Sequence, residues 1–318
     1  VVRRSNGDSG HSESRRGPTR ATIWRRRLAA LVVLAAAVAA IVLVVSSVSS
    51  SSGSGGSGSG GDSGSSSEGK LEPGGYRLVH NEIHSKAVKG RELGFNVIVP
   101  PKLPRRGHRA LIVYLHGRGG YEGTFNEAVL RGYVSLHGHG PLVVFPAGGV
   151  HGYWHNRADG KWEDWVMKEV LPRVTRRYGI DPHKIAIGGI SMGGFGALDI
   201  ALKHPGRFCA VGGHSPALWF QGSETAPGAF DDLADFERND VVGKAEADHD
   251  AFGKTKVWID YGEGDPFRPY DEGFVAALEG GDADLTVHSW PGGHEGSYWG
   301  AHWPDYQRWY VKQLARCR

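Results

Sequence analysis

Cysteine and methionine are scarce in this 318-residue chain, with two of each. The two cysteines, Cys209 and Cys317, show no metal-type spacing, which excludes zinc-ribbon and zinc-finger modules. Cys209 lies in "RFCAVGG", which reads as a buried strand where a thiol acts as a small apolar residue. A disulfide to Cys317 is the lesser alternative, open only outside the cytoplasm. Excess charge is also missing from most of the chain. The formal net charge is +3, but residues 1–27 hold eight arginines against Asp8 and Glu13. From Leu71 onward 28 Lys and Arg face 30 Asp and Glu. The basic character therefore belongs to a tail, and no nucleic-acid surface is expected on the main domain.

What is present falls into four segments. Residues 1–27 form a basic tail expected in the cytoplasm. Residues 28–45, "LAALVVLAAAVAAIVLVV", contain no polar side chain. A helix of that length spans about 27 Å, close to the hydrocarbon thickness of a bilayer. Arg25, Arg26 and Arg27 precede it with no counterpart beyond, so the positive-inside rule leaves the N-terminus in the cytoplasm. A cleaved signal peptide would have a shorter apolar core and a small-residue cleavage site. The run ends in Val-Val instead, so an uncleaved signal anchor is the preferred reading, and secretion follows if the segment is clipped. Residues 46–70, nearly all Ser and Gly, are expected to form a disordered linker spanning roughly 25–30 Å. Residues 71–318 remain as one catalytic-sized domain.

Within that domain strand-like and helical runs alternate. Strands are expected at 95–100, 110–117, 141–147, 184–189, 209–213, 256–262 and 285–290, most of them hydrophobic throughout, as strands buried on both faces require. Helices are expected at 124–130, 162–178, 193–203, 270–279 and from about Pro304. "YRLVHNEI" and "FNVIVP" read as an antiparallel edge, and Gln221–Thr255 as an irregular excursion. The fold class is α/β, with a mainly parallel central sheet covered by helices on both faces.

"IAIGGISMGGFGALDIAL" runs from strand through glycines into helix, with Ser191 at the junction. "GISMG" is G-x-S-x-G, the nucleophile-elbow pattern, in which a sharp turn raises the serine above the strand ends. The turn also puts the Met192 amide at a helix N-terminus, where donors are unpaired and the dipole favours negative charge. A serine nucleophile needs a base, and that base an acid. Past the strand "KVWIDYG" stand Asp260, Glu263 and Asp265. Past "LTVHSW" a glycine loop carries His294. His288 lies inside a strand, His302 approaches the last helix, and His204, His214 and His249 precede the acid. Asp265 is preferred as acid because it stands off the strand end, with Glu263 the runner-up and Asp260 a brace. A second oxyanion donor is expected in "YLHGRGG", at the amide of Arg118, with His116 holding that loop.

Together "LIVYLHGRGG", "IAIGGISMGGFGALDIALKHPGRF", "IDYGEGDPF" and "GGHEGSYW" resemble the esterase D-like branch of the α/β-hydrolases. That branch includes S-formylglutathione hydrolases, enterochelin and feruloyl esterases, and mycolyltransferases. The likeness covers roughly residues 76–314. It implies an α/β-hydrolase fold, a Ser191 nucleophile, a His294 base, an Asp265 acid, and oxyanion amides at Arg118 and Met192. The anchor and linker depart from the cytoplasmic members and argue against a formylglutathione role.

The expected function is a membrane-tethered, extracytoplasmic serine esterase working through an acyl-enzyme on a small-molecule or glycan-linked ester. The alternatives are an envelope acyltransferase using the same residues and an inactive hydrolase-fold binding protein. Aromatic residues in "HGYWHNRADGKWEDW", with Trp219, Trp299 and Trp303, either pack a lid or line a rim that stacks on sugar or aryl groups. His151 with His155, and His137 with His139, have no carboxylate or cysteine at ligand spacing, so no metal or cofactor is expected. Asp199, polar within the post-elbow helix, is expected to face solvent.

Overall fold

The computed structural model describes residues 69–124, 126–134 and 136–317. The basic tail, the apolar segment 28–45 and nearly all of the Ser/Gly linker lie outside the described residues. Among the described residues no helix is long and apolar enough to cross a membrane.

One nine-stranded sheet organises residues 70–290. Its strands are β1 (Lys70–Leu71), β2 (Arg77–Ser85), β3 (Arg91–Val99), β4 (Arg109–Leu115), β5 (Leu142–Pro146), β8 (Ile180–Ile190), β9 (Ala210–His214), β10 (Lys256–Gly262) and β11 (Asp284–Trp290). A small hairpin, β6 (Asn156–Arg157) and β7 (Gly160–Lys161), stands apart. The sheet order is β1-β2-β3-β5-β4-β8-β9-β10-β11. From β5 to β11 every pair is parallel, while β1, β2 and β3 add an antiparallel edge. Val113, Val144 and Ile187 in the central strands are wholly buried, as a sheet covered on both faces demands.

The helices are α1 (Asn126–Val134), α2 (Trp162–Asp164), α3 (Leu171–Tyr178), α4 (Met192–Lys203), α5 (Leu233–Arg238), α6 (Val241–Ala247), α7 (Arg268–Leu278) and α8 (Gly296–Leu314). The single helix expected over 162–178 is divided by a π-turn at Trp165–Val170, just ahead of Pro172. Proline has no N–H to give to the helical ladder, and the wider turn absorbs that break. The region 221–255 is less irregular than expected. Asp232 accepts the Asp235 amide at 2.7 Å and Asp240 the Gly243 amide at 2.8 Å, and these N-caps start α5 and α6.

Two further expectations are corrected. The last helix begins at Gly296 rather than Pro304, because Tyr298, Trp303, Tyr306, Trp309 and Tyr310 bury one side of it against the sheet. Pro304 is carried inside it, packing outweighing the lost hydrogen bond. Asp199 does not face solvent. It is fully buried in α4, where Lys203 Nζ meets it at 2.6 Å and Lys244 Nζ at 3.4 Å. A buried carboxylate persists only when paired, and two lysines supply the pairing.

The glycines of β8 and β9 have a packing cause. Gly188 and Gly212 are register partners, and a Cβ on either would stand within 2.0 Å of the Tyr310 hydroxyl. Their absence of side chains lets α8 lie directly on the sheet. The same helix is closed covalently, since Cys209 and Cys317 form a disulfide. The thiol reading of Cys209 is thus overturned: the chain folds the last residues of the domain back beside β9, with the two Cα atoms 6.0 Å apart.

Candidate active site

Ser191 stands between the end of β8 and the first residue of α4, with φ 57° and ψ −118°. A non-glycine residue there is strained by about 1–3 kcal/mol, so the surroundings must hold it. They do. Its N–H donates to His214 O at 3.0 Å, and its carbonyl accepts from the amides of Phe195 at 3.0 Å and Ala217 at 3.1 Å. Glycine is required on both sides. A Cβ at Gly193 would sit 2.1 Å from Leu115 O, and one at Gly189 would sit 2.5 Å from both Leu115 O and the Gly193 carbonyl.

The two partners chosen from spacing meet this serine. His294 Nε2 lies 2.7 Å from Ser191 Oγ, and His294 Nδ1 lies 2.9 Å from Asp265 Oδ2. A carboxylate only accepts, so Nδ1 carries the proton and Nε2 is free to accept from the serine hydroxyl. The second oxygen of Asp265 accepts the Phe267 amide at 2.8 Å, which fixes the carboxylate plane. Asp265 is buried while His294 is partly exposed, so the acid is sheltered and the imidazole borders solvent. Glu263 is outside this chain of bonds. Such an arrangement is able to take a proton from a hydroxyl and return it to a leaving group.

The loop after β4 faces the elbow. His116 is buried, and burial pushes its pKa down to about 4, against a backbone hydrogen bond that pulls it up. The imidazole is therefore neutral at neutral pH. Its Nδ1–H donates to Gly117 O at 2.8 Å, and its Nε2 accepts the Gly148 amide at 2.9 Å. Trp154 Nε1 donates to His116 O at 3.2 Å, and Gly119 N to Val150 O at 3.1 Å. The loop is thus tied to the one after β5. Among the described residues the backbone amides of Arg118 and Met192 donate to no protein acceptor.

Other named residues fall elsewhere. Trp219 and Trp303 are buried packing residues and not rim groups. Trp219 packs on Phe195, Phe230 and Phe267, and Trp303 on Tyr114. Trp299 is half-buried, with its ring 5.1 Å from the His294 ring and its Nε1 donating to Ser215 Oγ at 3.0 Å. His288 and His302 each stack on Trp290. His151 and His155 do not converge. His155 is buried against Asp235 at 3.0 Å, whereas His151 is exposed beside Arg118. Burial raises the Asp235 pKa, but bonds led by that from His155 outweigh it and hold the carboxyl at about 2. Among the described residues no three side chains are grouped to hold a metal ion.

One buried acid does more than brace its loop. Asp260, at the end of β10, accepts from His214 Nδ1 at 2.7 Å and Trp258 Nε1 at 2.6 Å on one oxygen. Its other oxygen accepts from the hydroxyls of Tyr298 at 3.1 Å and Tyr306 at 2.8 Å. Because His214 also accepts the Ser191 amide, this carboxylate joins the elbow to the helix that follows the histidine loop. Only the tyrosines of α8 hinted at it, and nothing in their spacing tells which acid they seek.

The chain is similar to known esterases. A family model described as "Putative esterase" matches residues 85–310. Esterase Rv1288 of Mycobacterium tuberculosis (strain ATCC 25618 / H37Rv) is 29% identical over 147 residues, which is 44% of this chain and 32% of that protein. The chain thus aligns with about a third of that relative's length. Among solved structures, a ferulic acid esterase superposes with a TM-score of 0.65 at 20% identity, covering 75% of this chain and 99% of that one. An S-formylglutathione hydrolase from Agrobacterium tumefaciens gives 0.63 at 22% identity, covering 79% and 98%. At these identities the structural likeness speaks for the fold.

Proposed function

Because the chain belongs to the esterase family of the α/β-hydrolases, we propose that it hydrolyses carboxylic esters through an acyl-enzyme on Ser191. The 2.7 Å approach of His294 Nε2 to Ser191 Oγ carries this reading. In the proposed cycle the hydroxyl gives its proton to Nε2 as Oγ attacks the ester carbon. Asp265 steadies the imidazolium through the Nδ1–H bond. The tetrahedral oxyanion is received by the amides of Arg118 and Met192, each such donor worth about 3 kcal/mol in the transition state. The imidazolium then protonates the departing alcohol, and water repeats the sequence to free the acid.

In this reading the domain works outside the cytoplasm on a tether. The Cys209–Cys317 disulfide supports an oxidising compartment, and the apolar run 28–45 followed by a Ser/Gly stretch supports the tether.

Ser191→Ala tests the chemistry. Hydrolysis of 4-nitrophenyl acetate and butyrate should fall by at least about a thousandfold, to a residual rate from the oxyanion donors alone. Turnover unchanged in a folded Ser191→Ala protein would remove the serine from the mechanism.

A further inference from the structure

The Arg118 side chain, like its amide, has a defined place. The guanidinium leaves a loop pinned by His116 and by the Gly119–Val150 hydrogen bond, so its root does not wander. Nε donates to His151 Nδ1 at 3.0 Å, which requires that nitrogen to be unprotonated. Partial burial first, then the charges of Arg118 and Arg157, lower the His151 pKa and keep that acceptor available. The Arg118 charge also acts on the Tyr153 phenol, opposing the burial that raises its pKa. Both groups are neutral.

The contrast with Arg157, on the same side of the loop cluster, is informative. Its Nη2 meets Asp231 at 2.8 Å, and its Nη1 donates to the carbonyls of His151, Gly228 and Ala229. That arginine is neutralised and saturated. Among the described residues no carboxylate approaches Arg118 within ion-pairing distance. An exposed cation held at Nε by a neutral imidazole is therefore carried by the same residue whose amide is proposed to receive the oxyanion. Tyr121 and Val150, both exposed, stand on the same two tied loops.

The geometry points to Arg118 as a counter-ion for an anionic group on the substrate, so that the preferred esters carry a carboxylate close to the scissile bond. A guanidinium fork already held at Nε has its Nη edge left for a planar anion, and a charge-assisted pair of that kind discriminates by about tenfold or more. This inference rests on the esterase reading and narrows its substrate class.

Two ester pairs test it. Mono(4-nitrophenyl) glutarate against 4-nitrophenyl butyrate places the carboxylate on the acyl side, and 4-acetoxybenzoate against phenyl acetate places it on the alcohol side. The readout is the ratio of kcat/KM, anionic over neutral, in wild type, Arg118→Gln and Arg118→Lys. A ratio compared between proteins cancels leaving-group differences and any general loss from disturbing the oxyanion loop. In at least one pair the wild-type ratio should exceed that of Arg118→Gln by about tenfold at low salt, shrink with added salt, and be partly kept by Arg118→Lys. Equal ratios in wild type and Arg118→Gln for both pairs would overturn the assignment while leaving the esterase reading intact. Wild type inert toward all four esters would bring down both together.

Discussion

Ser191 and His116 both occupy positions that cost free energy, and both are held by neighbours. The serine's positive φ is maintained by three backbone hydrogen bonds and by glycines that keep the turn narrow. His116 is a base buried without a charge, its ring nitrogens taken by one carbonyl and one amide. Its pKa near 4 has a consequence for acid stability. Between about pH 6.5 and 4 the unfolded chain binds a proton at this residue and the folded protein does not, so stability falls as pH falls through that window. The contribution at stake is about 3 kcal/mol. Replacing the ring with a neutral group removes this source of pH dependence. Urea unfolding of His116→Gln across pH 4–7 should show a shallower slope than wild type, whatever its absolute stability. An identical slope in the two proteins would contradict the buried, uncharged state.

Elements explain what could be read beforehand and what could not. Runs of buried strands announce themselves by composition, so β4, β5, β8, β9, β10 and β11 stand close to their expected places. The elbow was legible because a strained serine forces glycine at two fixed offsets. His294 and Asp265 were legible because both follow strands whose ends must share the serine's edge of a parallel sheet. Boundaries set by tertiary packing were not legible. The first two turns of α8 hold glycines and precede a proline, and only burial of Tyr298 and its neighbours makes them helical. Asp199 looks like a solvent-facing residue until α6 brings Lys244 beside it. Asp260 reads as a strand-end acid, yet it is the acceptor on which β9, β10 and α8 converge. Long-range pairing of this kind has no local period to betray it.

At the scale of the whole domain, the sheet carries the candidate site along one edge and the disulfide closes the chain behind it. Cys209 and Cys317 are 108 residues apart, and closing so long a loop removes roughly 4–5 kcal/mol of conformational entropy from the unfolded chain. That bond persists only in an oxidising compartment, which is why the proposed location and the fold's stability are linked. Fractionation of cells producing the full chain should place esterase activity with the membranes, and deletion of residues 28–45 should abolish that partition. Activity found wholly in the cytosol with both thiols free would contradict the proposed placement.

Acylation itself is the most direct test. Acid-quenching the protein during turnover of 4-nitrophenyl butyrate, followed by peptide mapping, should find a butyryl group on the peptide containing Ser191. The adduct should be absent in Ser191→Ala. Full turnover with the label on another residue, or with rapid-quench sampling finding no adduct at any time, would contradict the account.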